Sequence, residues 1–336
     1  MPTTRRFADA DQLADVITAT FGTDRRIAQT QRLTGGSKKG VYRLRLDDGT
    51  RAVAYIWDAT EDYWHDVLPE GADDRSDPFS HASGLDLFQA ASTRLAALDV
   101  RSPRLLLADP SRTRYPADIA IVEDVTGPTL EQFLDTEPDA AAAALDTLAA
   151  SLHRMHDHHA PAFGKVGLVD DGGAGGGRSA GTTCEQVVLD RALAEVAEAA
   201  TRDPRAEAGR ESLTETLHTL AARVSPRSRI GLIHGELGPD HVLIDADGAP
   251  VLIDVEGLMY FDIEWEHVFV RMRFDRHYDR LRRDDLDPHR LRLYQLAMHI
   301  DLVAGPLRIA ESDHPQRQWF LDLADHHLQK ALEFQP

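Results

Sequence analysis

The stretch "HGELGPDHVLID" (234–245) places His234, Glu236, Asp240 and His241 within eight positions, directly after the apolar pair Leu232-Ile233. Next come an apolar run, the turn Ala246-Asp247-Gly248, and a second apolar run that closes on Asp254, with Glu256 two residues further on. Charged groups beside buried strands are costly unless they are paired or used in chemistry. A hairpin over 242–254 is expected to return the loop Glu236–His241 towards Asp254 and Glu256. Acidic groups facing each other across a hairpin make a site for a hard cation. A carboxylate on the preceding loop can orient a hydroxyl nucleophile and take its proton. A plainer alternative makes His234 and His241 satisfied core histidines and Glu236 a capping carboxylate.

The elements that must position these groups fall into two characters. Residues 7–20 have the apolar spacing of a helix. Three strands are expected at Ile27–Leu33, Val41–Leu46 and Arg51–Trp57. The turn Thr34-Gly35-Gly36-Ser37-Lys38-Lys39-Gly40 separates the first two, and Asp47-Asp48-Gly49-Thr50 separates the second two. Residues 58–82 read as an irregular polar insert. A helix over Leu85–Leu98 and strands at Pro103–Ala108 and Ile119–Val125 complete a small, mostly antiparallel sheet with one helix on it. Past Gly127-Pro128 the chain turns helical, over 129–159, 184–201, 205–224 and 290–334. The glycine-rich run 170–181 reads equally as linker or lid. His156-Asp157-His158-His159 has the residue types of a metal site but sits at an expected helix end, where histidines are usually solvated.

In sequence order these segments resemble the aminoglycoside phosphotransferase and choline kinase group of kinase-like enzymes. That group carries His-Gly-Asp-Leu-x-x-x-Asn, an apolar strand pair and Ile-Asp. Here the positions read His234-Gly235-Glu236-Leu237, His241, and Ile253-Asp254. The group's Gly-Asp-Pro-x-Trp-Asp-Leu-Ala is matched by Asp262 and Trp265, with Glu266 for its second Asp. Ser151-Leu152-His153 stands at its helical Leu-His pair, "VEDVTGPTL" (122–130) at its hinge, and "LTGGSKKGVYRL" (33–44) at its phosphate-covering loop.

The resemblance implies an α+β, bilobal protein-kinase-like fold. A small antiparallel N-lobe with one helix (1–126) would bind nucleotide, and a larger, mainly helical C-lobe (127–336) would carry the catalytic loop and acceptor site. It further implies ATP or GTP with Mg²⁺, Mn²⁺ being tolerated, and a small hydroxylated acceptor such as an antibiotic, sugar or amino alcohol. Glu236 would receive the acceptor proton and His234 would shape the loop. His241, Asp254 and Glu256 would hold metal. Gly35, Gly36, Ser37, Lys38, Lys39, Glu123 and Val125 would contact nucleotide. Three positions depart from the pattern. Glu236 replaces Asp. His241 replaces Asn, leaving Asp240 as an alternative oxygen ligand. The third strand "RAVAYIW" has no Lys to hold the phosphates, so its partner carboxylate, for which Asp86 is the candidate, lacks a cation; Lys38 and Lys39 could supply that charge from the turn. These departures keep two other functions in view, a nucleotide-binding pseudokinase and a nucleotidyl transferase.

The composition agrees with this class. The chain has 336 residues, 42% of them hydrophobic, enough for one large or two moderate cores. No run approaches the roughly 18 apolar residues of a membrane span. The N-terminus has no apolar signal region, and the single Cys184 allows no internal disulfide, so a cytoplasmic protein is expected. A net charge of −19 argues against nucleic acid or an anionic membrane as partner. It is compatible with a cationic substrate, although acidic surfaces chiefly serve solubility. Oligomeric state is not legible.

Overall fold

Five strands, two of the inner ones buried along most of their length, build an antiparallel sheet in the order β1-β2-β3-β5-β4. The strands are β1 (Ile27–Arg32), β2 (Gly40–Leu46), β3 (Arg51–Trp57), β4 (Leu105–Asp109) and β5 (Asp118–Glu123). The β2–β3 hairpin turns through Gly49, whose φ of 87° suits glycine. On one face Tyr42, Leu44, Ala54, Ile56, Ile119 and Ile121 pack with Leu13 and Ile17 of the α1 region (α1, Ala14–Phe21). The other face presents Tyr55 and Trp57 to Phe88 of α2 (Leu85–Ala97). The helix expected from residue 7 begins later. Asp9 and Gln12 instead exchange side-chain-to-backbone hydrogen bonds in a capping box, and Ala8 N donates to the Tyr42 hydroxyl.

The computed structural model describes residues 5–33, 36–68, 74–170, 182–227 and 229–335. Gly35 and the glycine-rich run from 171 to 181 lie outside the described residues. The chain divides into two compact units interleaved in sequence. The first comprises Met1–Asp66, His81–Ser151 and Pro239–Gly257, and the second Val67–Ser80, Leu152–Gly238 and Leu258–Pro336.

The first unit thus holds the sheet, α1, α2, α3 (Leu130–Thr136), most of α4 (Pro138–His156), and the hairpin of β9 (Val242–Ile244) and β10 (Pro250–Leu252). α3 starts at a capping box in which Thr129 and Gln132 satisfy each other's backbone N–H groups.

The second unit is mainly helical. A small sheet ordered β6-β8-β11-β7 runs through it, from β6 (His159–Ala160), β7 (Gly164–Lys165), β8 (Ile230–Ile233) and β11 (Met259–Phe261). Its helices are α5 (Val166–Asp170), α6 (Cys184–Ala200), α7 (Pro204–Ala221), α8 (Ile263–Phe274), α9 (Pro288–Ile309) and α10 (Arg317–Leu332). The architecture is the α+β class expected. No helix among the described residues is long and apolar enough to cross a membrane.

Candidate active site

The hairpin carrying His241, Asp254 and Glu256 is fixed to the first unit by main-chain bonds. Ile244 N donates to Pro128 O at 2.9 Å, Leu252 N donates to Arg101 O at 2.9 Å, and Thr129 pairs with Leu243. Gly127 permits this approach, since a Cβ there would sit 1.6 Å from Ile244 O. Past β10 the chain places Asp254 at φ 59°, a left-handed conformation that Asp tolerates better than most residues.

Lys39 closes the site from the glycine-rich turn. Its Nζ donates to Asp254 Oδ1 at 2.7 Å and lies 2.7 Å from Glu256 Oε1, an ion contact without hydrogen-bond geometry. Lys39 and Glu256 are buried, while the Asp254 side chain is 35% exposed. Burial opposes charge on Lys39, but Asp254 and Glu256 outweigh it and hold the ammonium above its ordinary range. In return Lys39 holds the Asp254 carboxyl well below the usual carboxylate range. His241 stands beside this group, with Nε2 3.9 Å from Asp254 Oδ2.

Among the described residues no three His, Cys, Asp or Glu side chains converge as a ready metal cage. Two adjacent carboxylates, one with an oxygen lacking a hydrogen-bond partner, nevertheless fit Mg²⁺, which typically takes one or two carboxylates and completes its shell with water and substrate phosphates. The structure brings Asp254 and Glu256 to one cationic centre and leaves His241 at its edge.

The described residues of the turn, from Gly36 on, are held from outside. Tyr63 N donates to Ser37 O at 2.8 Å, Trp64 Nε1 donates to Ser37 Oγ at 3.0 Å, and Ser83 Oγ donates to Lys38 O at 3.1 Å. Gly36 is exposed. Gly40 is required where the turn enters β2, because a Cβ there would lie 2.6 Å from the Glu61 carboxyl. At the hinge, Val125 is buried. The Glu123 carboxylate is engaged by Arg101 Nη2 at 2.9 Å and Arg104 N at 3.1 Å, and Arg101 also binds Asp245.

The loop residues His234 to Gly238 lie in the second unit. His234 is fully buried and Glu236 is exposed. The loop's main chain is gripped by Glu266 of α8, itself inaccessible to solvent. Its Oε1 accepts from His234 N and Gly235 N, each at 3.0 Å, and its Oε2 lies 3.1 Å from His156 Nε2. Burial pushes the Glu266 carboxyl up, but His156, His234 and the Gly235 N–H prevail and leave it lowered. Next to it, burial drives the His267 imidazole down to about 3.

Residues 29–299 match the model of the phosphotransferase enzyme family, APH. The chain belongs to that family. No curated protein matches it by sequence. Its fold is that of solved kinase-like structures. One is a thermostable mutant of aminoglycoside phosphotransferase APH(4)-Ia in ternary complex with ADP and hygromycin B, with TM-score 0.62, 16% identity, and coverage of 95% of this chain and 98% of that one. Another is choline kinase LicA from Streptococcus pneumoniae, with TM-score 0.61, 12% identity, and coverage of 96% and 98%. A third is a putative aminoglycoside phosphotransferase from Ralstonia eutropha JMP134, with TM-score 0.57, 14% identity, and coverage of 98% of each chain.

Two features of this phosphotransferase-family chain are absent from the sequence reading. His156, expected in a solvated helix end, is buried against Glu266. The signal was present: His156 falls four residues after Leu152, on the stripe that includes Leu145 and Leu148 and is buried in α4. The pairing of Lys39 with Glu256 joins residues 217 positions apart and has no local signature.

Proposed function

We propose that this protein transfers the γ-phosphoryl group of ATP or GTP to a hydroxyl of a small acceptor such as an antibiotic, sugar or amino alcohol. The observation that carries this reading is the carboxylate pair Asp254 and Glu256, gathered around one cationic centre on the hairpin that directly follows the loop bearing Glu236. Solved neighbours holding ADP, AMP or AMP-PNP support a nucleotide donor.

In this reading residues 1–126 serve the nucleotide, and 127–336 serve the acceptor and the catalytic loop. The turn containing Gly35, Gly36, Ser37, Lys38 and Lys39 covers the phosphates. Glu123 and Val125 meet the base through their main chain, because the Glu123 side chain already binds Arg101. Asp254 and Glu256 would hold Mg²⁺, which supplies charge neutralisation at the phosphates. His241 stands next to that pair, and its imidazole suits Mn²⁺ better than Mg²⁺. Glu236 orients the acceptor hydroxyl and takes its proton, and His234 fixes the loop's shape from the interior. Positioning and charge neutralisation carry most of such a reaction, and general-base help contributes about 10² to 10⁴ in rate.

Two substitutions separate these roles. Asp254→Asn should abolish the metal-dependent rise in melting temperature with AMP-PNP. That rise reflects RT ln(1 + [L]/Kd), about 2.7 kcal/mol at a hundredfold excess over Kd. Glu236→Gln should keep the rise and lower kcat by about 10² to 10⁴. A wild-type protein that shows no shift with millimolar ATP or GTP and Mg²⁺ or Mn²⁺ contradicts the reading.

A further inference from the structure

β3 has no lysine. On the α2-facing side it offers Tyr55 and Trp57, and the Tyr55 ring stands edge-on to Phe88 with centroids 5.4 Å apart. β2 pairs antiparallel with β3 in a register that sets Gly40 opposite Ile56 and Val41 opposite Tyr55. Continued by one residue, that register sets Lys39 opposite Trp57, and so on the face shared by Trp57 and Tyr55. The Lys39 ammonium lies 5.3 Å from the Tyr55 ring centroid while contacting Asp254 and Glu256. Its charge therefore stands over the α2-facing side of the third strand, the strand that carries the phosphate-binding lysine in kinases, but it arrives from the neighbouring strand.

We propose that Lys39 is this enzyme's phosphate-binding lysine, relocated from β3 to the entry of β2, with Glu256 as its partner carboxylate. The proposal rests on the phosphotransferase reading and deepens it. Three observations carry it besides the distances.

The first is burial. An ammonium is strongly hydrated, and taking it from water costs several kcal/mol unless it is well paired. Lys39 is only 7% exposed, so its place is fixed by the fold.

The second is charge. One ammonium between two carboxylates leaves a net −1. A divalent cation on the same carboxylates turns this to +1, which suits a polyphosphate; without Lys39 the sum would be zero.

The third is composition. The chain has only four lysines, Lys38, Lys39, Lys165 and Lys330, among 37 cationic residues. The other 33 are Arg. A compact point charge on a flexible stem, which Lys supplies and Arg does not, is thus kept at this turn.

The experiment measures nucleotide affinity by calorimetry with Mg²⁺ and AMP-PNP. Lys39→Ala should weaken binding by more than tenfold, whereas Lys330→Ala, at an exposed position of α10, should leave it within twofold. In Lys39→Ala/Tyr55→Lys the ammonium returns to β3 beside the same carboxylates. This variant should recover affinity to within about threefold of wild type. A folded Lys39→Ala protein that binds within twofold of wild type overturns the proposal. So does a double variant that regains melting temperature without regaining affinity, because Lys39 would then be a structural ion pair. If Lys39→Ala does not fold, the wild-type protein decides. An adenosine nucleotide acyl phosphate acylates amines held against the phosphates. Modification of Lys39 that is blocked by ATP supports the assignment, and its absence while another residue reacts contradicts it. Wild-type protein that binds no nucleotide would instead remove the phosphotransferase reading.

Discussion

Glu236 stands one methylene further from its backbone than the Asp of the resembled motif. A displacement of about 1 Å at a reacting group can cost on the order of a hundredfold in rate, so the loop must place this longer side chain differently. Restoring the shorter residue should then harm rather than help. Glu236→Asp is expected to lower kcat by about tenfold to a hundredfold, with nucleotide Kd within twofold of wild type, in a steady-state assay paired with calorimetry. A gain in turnover would show that the loop is built for Asp. The turn's second lysine, Lys39, is buried between Asp254 and Glu256, and in the proposal above it stands in for the lysine that β3 lacks.

The element that fixes the loop is α8. Glu266 accepts from the backbone of His234 and Gly235, the two residues before Glu236, and is held from behind by His156 of α4. This position is also Asp in the resembled motif, so both the proposed catalytic carboxylate, Glu236, and its anchor are lengthened here. Glu266→Asp should draw the loop out of register. We expect kcat to fall by about a hundredfold and the melting temperature by several degrees, the cost of about 1–3 kcal/mol for badly met buried N–H groups. A Glu266→Asp enzyme with full kcat would mean that the loop keeps its geometry without this anchor.

The elements themselves were legible in sequence where a period was clean. Arg51–Trp57 is a strand as expected, and α2 starts at Leu85 and ends within one residue of its expected end. Residues 7–13 were less legible, because Asp9 and Gln12 cap the chain before α1 rather than extending it. The hairpin 242–254 was visible, but its attachment to Pro128 and Arg101 was not, since backbone pairing across more than a hundred residues leaves no periodic trace. The motif positions could be read from the sequence, whereas Lys39–Glu256 and His156–Glu266 required the fold.

Across the whole molecule, belonging to the phosphotransferase family and a protein-kinase-like fold restrict the chemistry more tightly than they restrict the acceptor. The net charge of −19 favours cationic over anionic small molecules through long-range steering. That makes aminoglycosides and amino alcohols the first acceptors to screen and sugars the neutral comparison. The direct measurement is product analysis by mass spectrometry. Wild-type protein is incubated with ATP or GTP, Mg²⁺ or Mn²⁺ and an acceptor panel, with Glu236→Gln in parallel. The account predicts nucleoside diphosphate together with an acceptor heavier by one phosphoryl group, formed at least a hundredfold more slowly by Glu236→Gln. Nucleoside monophosphate transfer with release of pyrophosphate, or equal product from the two proteins, would contradict it.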